Sequence, residues 1–123
     1  MRHERAERAV AMEAELRRSL DAISVRRSVS VAIDPYATFG PTTFDARRGA
    51  MLRDKATQRQ LAPRDMIAAA GHDSVLIAPL CPSAMLFVPS VGGITHNPRE
   101  FSTKEQVARG AQVMLDAVLE LAG

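Results

Sequence analysis

The chain has 123 residues, of which 46% are hydrophobic and 24% are charged, and its formal net charge is +2. These values are typical of one soluble globular domain, and the small charge, with arginines spread among acidic residues, does not favour a nucleic-acid partner. No apolar run approaches the roughly 20 residues of a membrane-spanning helix, so we expect no membrane partner either.

The chain has a single cysteine, Cys81, in the stretch "LCPS". One cysteine excludes an internal disulfide and fits a reducing compartment, so we expect a cytoplasmic protein. The apolar neighbours of Cys81 predict a buried, inert thiol rather than a nucleophile.

The first part of the chain predicts a helix and a strand. Residues 4–24 carry apolar side chains at helical spacing, which predicts an amphipathic helix. The stretch "SVSVAI", residues 28–33, alternates in polarity and predicts a half-buried strand. The Pro/Gly-rich connector "DPYATFGPTT" follows, and we place a boundary there.

Further elements are predicted in the middle of the chain. Residues 45–60 predict a second helix, "RDMIAA" a short strand, and "DSVLIAPL" a short helix that ends at Pro79. The apolar run "SAMLFVP" is bounded by prolines and too short for a typical helix, so it predicts a strand buried on both faces.

The last predicted element is an amphipathic helix. Ser102 and Glu105 have the spacing of a capping box, which marks its start. The apolar stripe predicted for it consists of Val107, Ala111, Met114, Leu115, Val118 and Leu121. A buried strand followed by a crossover and an amphipathic helix indicates α/β architecture.

Two histidines draw attention by their positions. His96 follows the predicted buried strand in "GGITHNP", and ligands gather beyond the carboxyl ends of strands in α/β sheets. An imidazole there could bind a metal or exchange a proton, and an ordinary surface histidine is the alternative.

His72 lies in "AAAGHDS", where Gly71 permits a tight turn or the close approach of a ligand. Asp73 at a helix start is favoured by the helix dipole, so capping competes with chemistry. A zinc site made from His72, Asp73 and His96 alone is disfavoured because no close pairing fixes them together.

Together, "AGHDS", "SAMLFVPSVGGITHNPREFS" and the helix "EQVARGAQVMLDAVLELA" resemble the C-terminal part of the metal-dependent amidohydrolases. These include N-carbamoyl-L-amino-acid hydrolase, allantoate amidohydrolase and β-alanine synthase, within the aminoacylase and di-metal carboxypeptidase-like superfamily. The corresponding family stretches read like "SGAGHDA" and "GISHNPxE". The start, "MRHERAER", is similar to the family's "DIRH" strand end and the long helix after it.

The resemblance implies a fold and a division of the chain. Residues 1–36 would be a helix–strand remnant of the α+β lid and dimerisation domain. Residues 37–123 would be the C-terminal portion of a three-layer α/β/α di-metal hydrolase domain. The other metal ligands and a catalytic glutamate of the family would lie upstream of the first residue.

The resemblance also implies roles for single residues. His96 matches a metal ligand, and Gly71 and His72 match positions that contact the substrate. Arg2 matches the arginine that binds the substrate carboxylate, a task for which its planar fork is suited. Ala69 departs from the family pattern, which has Gly or Ser there.

The resemblance implies a hydrolase of linear C–N amide bonds in N-carbamoyl amino acids or ureido acids. Its cofactor would be a divalent metal, Zn, Mn, Co or Ni, which this chain alone is not expected to hold stably. We therefore expect an inactive isolated chain. Alternatives are a subunit of a split enzyme completed by a separate N-terminal chain, and a non-catalytic binding or oligomerisation module. The possible protein partner is a second copy of the chain, in a homodimer, or a complementing N-terminal chain.

Overall fold

The computed structural model describes residues 2–36 and 39–123 and contains four α-helices in those ranges. They are α1 (Ala6–Arg27), α2 (Ala46–Gln58), α3 (Ser74–Ile77) and α4 (Lys104–Ala122), with a short 3-10 turn at Val91–Gly93. None of the helices in these ranges is both long and apolar enough to cross a bilayer.

The described residues form two compact units. The first contains the chain up to Thr42 together with Ile67–Gly71, and the second contains Thr43–Met66 together with His72–Gly123. The predicted boundary between residues 36 and 37 adjoins Ala37 and Thr38, which lie outside the described residues, and it stays a prediction.

The helix α1 lies in the first unit and confirms the helix predicted there, displaced by two or three residues. It begins after Arg5, whose side chain makes no capping hydrogen bond, and it ends at Ser28 in the left-handed conformation (φ 51°). None of its residues is buried. One internal ion pair, Arg17 Nη2 to Glu13 Oε1 at 2.6 Å, links successive turns.

The core of the second unit lies between α2 and α4. Its buried side chains are Ala56 of α2 and Val113 and Ala117 of α4. The predicted helix at residues 45–60 is confirmed as α2, capped by Asp45, whose side chain accepts a hydrogen bond from Arg48 N at 2.8 Å.

Two ion pairs flank this core. Lys55 of α2 and Arg59, the residue that follows α2, pair with Glu120 and Asp116, which lie one turn apart on α4. Arg59 Nη2 donates to Asp116 Oδ1 at 2.9 Å. The Arg59 hydrogen bond lowers the pKa of Asp116 although desolvation opposes it, and a further hydrogen bond from Gln112 adds to the effect.

The start of α4 lies one residue later than predicted. Its capping box is formed by Thr103 and Gln106, with Gln106 N donating to Thr103 Oγ1 at 3.2 Å and Thr103 N donating to Gln106 Oε1 at 2.8 Å. The predicted cap, Ser102, instead donates its hydroxyl to Pro89 O at 2.8 Å. Because its hydroxyl is used in this contact, Ser102 does not cap α4.

The predicted apolar stripe of α4 is not the face that packs on α2. The residues at the interface are Val113 and Ala117, whereas the large side chains of the stripe are about half exposed: Val107, Met114, Leu115, Val118 and Leu121. The stripe therefore forms an apolar surface beside the packed face. We call these five residues the α4 stripe.

A glycine inside α4 allows a close approach of the chain. A Cβ atom at Gly110 would overlap Val88 Cγ1. Glycine is disfavoured in helix interiors, so its presence here is explained by the packing of Val88 against the helix backbone.

The three predicted strands, at "SVSVAI", "RDMIAA" and "SAMLFVP", are not formed, because the structure has no strand in its described residues. A strand is defined by backbone hydrogen bonds to a neighbouring strand, and no such ladder exists within the described ranges. The α/β class is therefore not confirmed. The predicted burial of Cys81 was wrong as well, since Cys81 is exposed.

Candidate functional site

His96 lies on a loop that is closed at its base by two hydrogen bonds. Val91 N donates to Phe101 O at 2.8 Å, and the Ser102 hydroxyl donates to Pro89 O. Within the loop, the Ser90 hydroxyl donates to Ile94 O at 2.7 Å. The ends of the loop are therefore held together, and its tip is presented to solvent.

The tip of this loop has a defined backbone conformation. His96 is in the left-handed region with φ 53°, as are Gly92 and Gly93, both with φ 66°. Histidine tolerates this region better than most residues that carry a Cβ. The next residue, Asn97, opens a turn in which Glu100 N donates to Asn97 O at 2.8 Å. Pro98 occupies the second position of that turn, which is favourable for its fixed φ.

The side chain of Glu100 contacts the backbone of His96. Its Oε2 accepts a hydrogen bond from His96 N at 2.8 Å. The Asn97 side chain also accepts from Arg99 N at 3.0 Å. At the tip of the loop, the backbone N–H groups of His96 and Arg99 are therefore bound by side chains of the same loop. His96 itself is exposed.

His72 is also exposed and has one ring nitrogen engaged. Ser74 N donates to His72 Nδ1 at 3.0 Å, and the Ser74 hydroxyl lies 2.9 Å from the same nitrogen. Because Nδ1 accepts a backbone N–H, the neutral ring carries its proton on Nε2. His72 can thus offer a hydrogen-bond donor at Nε2 to a ligand. Asp73, the competing capping residue, precedes α3 but makes no side-chain capping hydrogen bond.

Arg2 contacts the segment that contains Gly71. Its Nη1 donates to Ala69 O at 2.6 Å, joining two parts of the first unit that are 67 residues apart in sequence. A guanidinium has five N–H donors, so this contact leaves others for a carboxylate. The structure thus brings the Arg2 side chain to the backbone two residues before Gly71.

Neither the backbone conformation nor the packing around Gly71 requires a glycine at this position. Its φ is not in the left-handed region, and a Cβ atom there would meet nothing within 4 Å. Chain packing therefore does not explain this glycine in the described structure. An open position of this kind is compatible with a ligand that approaches the backbone closely.

These four residues fall in different units. Arg2 and Gly71 belong to the first unit, and His72 and His96 belong to the second. Within residues 2–36 and 39–123, no group of three or more His, Cys, Asp or Glu side chains is arranged to hold a metal ion. The side chains described in this chain therefore do not fit a complete metal centre, although the exposed imidazole of His96 suits a single ligand.

Sequence reasoning missed Glu100 and Ser74. Both belong to short local patterns, "HNPRE" and "HDS", in which a side chain bonds a backbone amide or a ring nearby. The turn signal Asn-Pro was visible in the sequence and could have indicated that Glu100 folds back toward His96.

Residues 5–120 match the family described as Peptidase family M20/M25/M40. The chain belongs to this family.

Two of the relatives that the chain matches are named amidohydrolases. The chain is 31% identical over 103 residues to the allantoate amidohydrolase of Bacillus subtilis (strain 168), covering 84% of this chain and 25% of that protein. It is 33% identical over 111 residues to the N-carbamoyl-L-amino-acid amidohydrolase of Rhizobium meliloti, covering 90% of this chain and 27% of that protein.

A solved structure agrees with these relatives. The crystal structure of an amidase of the hydantoinase/carbamoylase family from Burkholderia vietnamiensis has a TM-score of 0.89 and 31% identity. The match covers 96% of this M20-family chain and 29% of that chain. The chain thus spans about a quarter of the length of the curated relatives it matches.

Proposed function

We propose that this M20-family chain is the C-terminal part of a metal-dependent amidohydrolase. The complete enzyme would hydrolyse linear C–N amide bonds of N-carbamoyl amino acids or related ureido acids such as allantoate. The observation that carries the proposal is the closed loop with the exposed imidazole of His96 at its tip. The names of the relatives support the substrate class.

In this proposal residues 37–123 belong to a three-layer α/β/α catalytic domain, and residues 1–36 belong to the lid and dimerisation domain. The segments "SVSVAI" and "SAMLFVP" would become strands once neighbouring strands supply backbone partners. The TM-score of 0.89 against an amidase structure supports this reading.

His96 would supply one metal ligand in the complete enzyme. Zinc, manganese, cobalt and nickel are the candidate ions, and a bound ion of this kind lowers the pKa of water so that hydroxide forms near neutral pH. Because the described side chains do not complete a metal centre, the remaining ligands would come from the part of the fold that this chain does not cover.

Arg2, Gly71 and His72 would contact the substrate. The guanidinium of Arg2 suits a bidentate contact with the substrate carboxylate, and Ala69 O restrains that guanidinium. The open space at Gly71 suits a ligand against the backbone. His72 Nε2–H suits a carbonyl or carboxylate oxygen, since Ser74 occupies Nδ1.

The α4 stripe supports completion by further polypeptide. It leaves five large apolar side chains about half exposed on one helix, and exposed apolar surface of this kind is suited to burial against further polypeptide. The remaining polypeptide could be continuous with this chain or a separate N-terminal subunit of a split enzyme. A non-catalytic oligomerisation module would instead cover the stripe by self-association.

The first test uses the 123-residue chain alone. Assayed with N-carbamoyl amino acids and added manganese, zinc or cobalt, it should give no turnover. Its cellular location, expected to be cytoplasmic, can be examined separately by fractionation. Robust turnover by the isolated chain would contradict the proposed division of the site.

The decisive test is complementation. The upstream three-quarters of the Bacillus subtilis allantoate amidohydrolase is joined to this chain, or co-expressed with it as a separate polypeptide, and hydrolysis of allantoate and N-carbamoyl amino acids is measured. Activity in the co-expressed pair would favour a split enzyme. A module without catalytic function would give no activity in either format.

His96→Asn is the informative variant in the active chimera. Asparagine tolerates the left-handed conformation but lacks the imidazole, so the loop is kept and the proposed ligand is lost. We expect activity to fall at least about 100-fold, since even partners of metal ligands cost 10–100-fold when removed. His3→Asn is the matched control, because an asparagine oxygen can replace His3 Nδ1 as acceptor for Arg5 N. Equal activity in both variants would contradict the role of His96.

A further inference from the structure

We infer that Glu100 is a positioning residue for His96. Its carboxylate holds the tip of the loop in the left-handed conformation that presents the imidazole. The importance of that presentation rests on the proposed function, but the conformational role of Glu100 does not. The family stretch "GISHNPxE" has a glutamate at the position of Glu100, but the sequence assigned no role to it.

The contact that carries this inference is short and specific. Glu100 Oε2 lies 2.8 Å from His96 N. Hydrogen bonds from a backbone N–H to an ionised carboxylate are stronger than those between neutral groups. The left-handed conformation of His96, with φ 53°, is unfavourable for a residue with a Cβ. The hydrogen bond from His96 N to Glu100 Oε2 is an interaction at that residue that offsets part of this cost.

The turn between the two residues sets the reach of the Glu100 side chain. Glu100 N donates to Asn97 O at 2.8 Å, and Asn97 Oδ1 accepts from Arg99 N at 3.0 Å. Pro98 has a fixed φ at the second position of this turn. The turn brings Glu100 back toward His96, the residue that precedes the turn. The glutamate then spans the remaining gap to His96 N without support from another element.

The base of the loop is held independently of Glu100. The bonds Val91 N to Phe101 O and Ser102 Oγ to Pro89 O do not involve the Glu100 side chain. Loss of the carboxylate should therefore release the tip and leave the base closed. This separates a positioning role from a general role in stability.

The experiment is NMR hydrogen exchange on the full 123-residue chain, comparing Glu100→Ala with Glu100→Gln. In Glu100→Ala the exchange protection of the His96 amide should fall about tenfold, in line with loss of a hydrogen bond to a charged group. Its Cα shift should also leave the left-handed range. Glu100→Gln keeps an acceptor oxygen and should restore most of both signals.

Two further measurements make the result specific. Protection of Val91 N, at the base of the loop, should be unchanged in Glu100→Ala, and Glu105→Ala should leave the His96 amide unaffected. If Val91 loses protection together with His96, Glu100 stabilises the whole loop and the inference is overturned. If His96 keeps its protection in Glu100→Ala, the inference is overturned directly.

The chimera then distinguishes this inference from the proposed function. Glu100→Ala should weaken the apparent affinity for added Mn²⁺ by about 10–100-fold, with partial recovery in Glu100→Gln, as expected for a group that orients a ligand. If His96→Asn leaves the chimera fully active while exchange still responds to Glu100→Ala, the proposed function fails and the conformational inference stands. If His96→Asn abolishes activity but the exchange of the His96 amide is unchanged in Glu100→Ala, the proposed function stands and the conformational inference fails.

Discussion

The helices α1 and α4 were predicted from the same kind of pattern but have different surroundings. Both carry apolar residues at helical spacing, yet α4 buries Val113 and Ala117, whereas none of the described residues of α1 is buried. The difference is the presence of a partner, because α2 packs against α4 within the second unit. Periodicity thus predicts a helix, while burial depends on what lies beside it.

The largest expected effect comes from placing a charge in the packed face of α4. Val113 is 1% exposed, so Val113→Asp would bury a carboxylate without a partner. We expect a loss of about 3 kcal/mol or more in the free energy of unfolding. Urea denaturation followed by circular dichroism measures this loss.

Val10→Asp in α1 is the matched control. Val10 is 68% exposed, so the same substitution should change stability by no more than about 0.5 kcal/mol. Similar losses in both variants would show that α1 has a packed face comparable to that of α4, and the contrast between the helices would disappear.

A smaller effect is expected from the two helical glycines. Gly110→Ala in α4 forces a Cβ onto Val88 Cγ1, and we expect a net cost of about 1–3 kcal/mol despite the better helix propensity of alanine. Gly49→Ala in α2 meets nothing within 4 Å and should stabilise by about 0.5–1 kcal/mol. Thermal unfolding of each variant shows whether the substitution destabilises or stabilises the chain.

The double variant Gly110→Ala, Val88→Ala checks the cause. If the overlap with Val88 is responsible, trimming that side chain should recover part of the loss, and the two substitutions should not be additive. A stabilising effect of Gly110→Ala alone would contradict the close packing of Val88 on α4.

The helices were predictable because their signals are local. Local signals alone do not fix the first residue of α4, because "STKE" and the overlapping "TKEQ" both have capping-box spacing. Only the tertiary contact of the Ser102 hydroxyl with Pro89 O decides in favour of Thr103. The three predicted strands were not found because a strand needs a neighbour, which a single segment cannot specify.

The candidate site was predictable in part. The stretch "GGITHNP" indicated a bent loop with a functional histidine, and the structure shows left-handed backbone at Gly92, Gly93 and His96. The contact between Arg2 and Ala69 joins residues 67 positions apart, which no local pattern reveals. The Asn-Pro signal indicates the turn that brings Glu100 back, but the contact of its carboxylate with His96 N is seen only in the structure. The assignments of Arg2, Gly71, His72 and His96 remain predictions.

The smallest effect concerns the ion pairs of the two helices at low pH. Asp116 of α4 pairs with Arg59, the residue that follows α2, and the hydrogen bond between them lowers the pKa of Asp116 in the folded chain. A carboxyl whose folded pKa lies below its unfolded value stabilises the fold above the unfolded pKa, about 3.9, and the contribution is lost as pH falls through the folded pKa. The unfolding midpoint should therefore decrease on acidification more in the wild type than in Asp116→Asn.

Glu13 of α1 offers the contrast, because its partner Arg17 lies on the same helix and both side chains are about half exposed. Such a pair contributes only about 0.3–0.5 kcal/mol, so Glu13→Gln should leave the unfolding midpoint at neutral pH nearly unchanged. Midpoints measured between neutral and acidic pH compare the two variants. If Asp116→Asn follows the wild-type curve throughout, the pair between Arg59 and Asp116 does not couple folding to pH, and the burial of Val113 and Ala117 is what distinguishes α4 from α1.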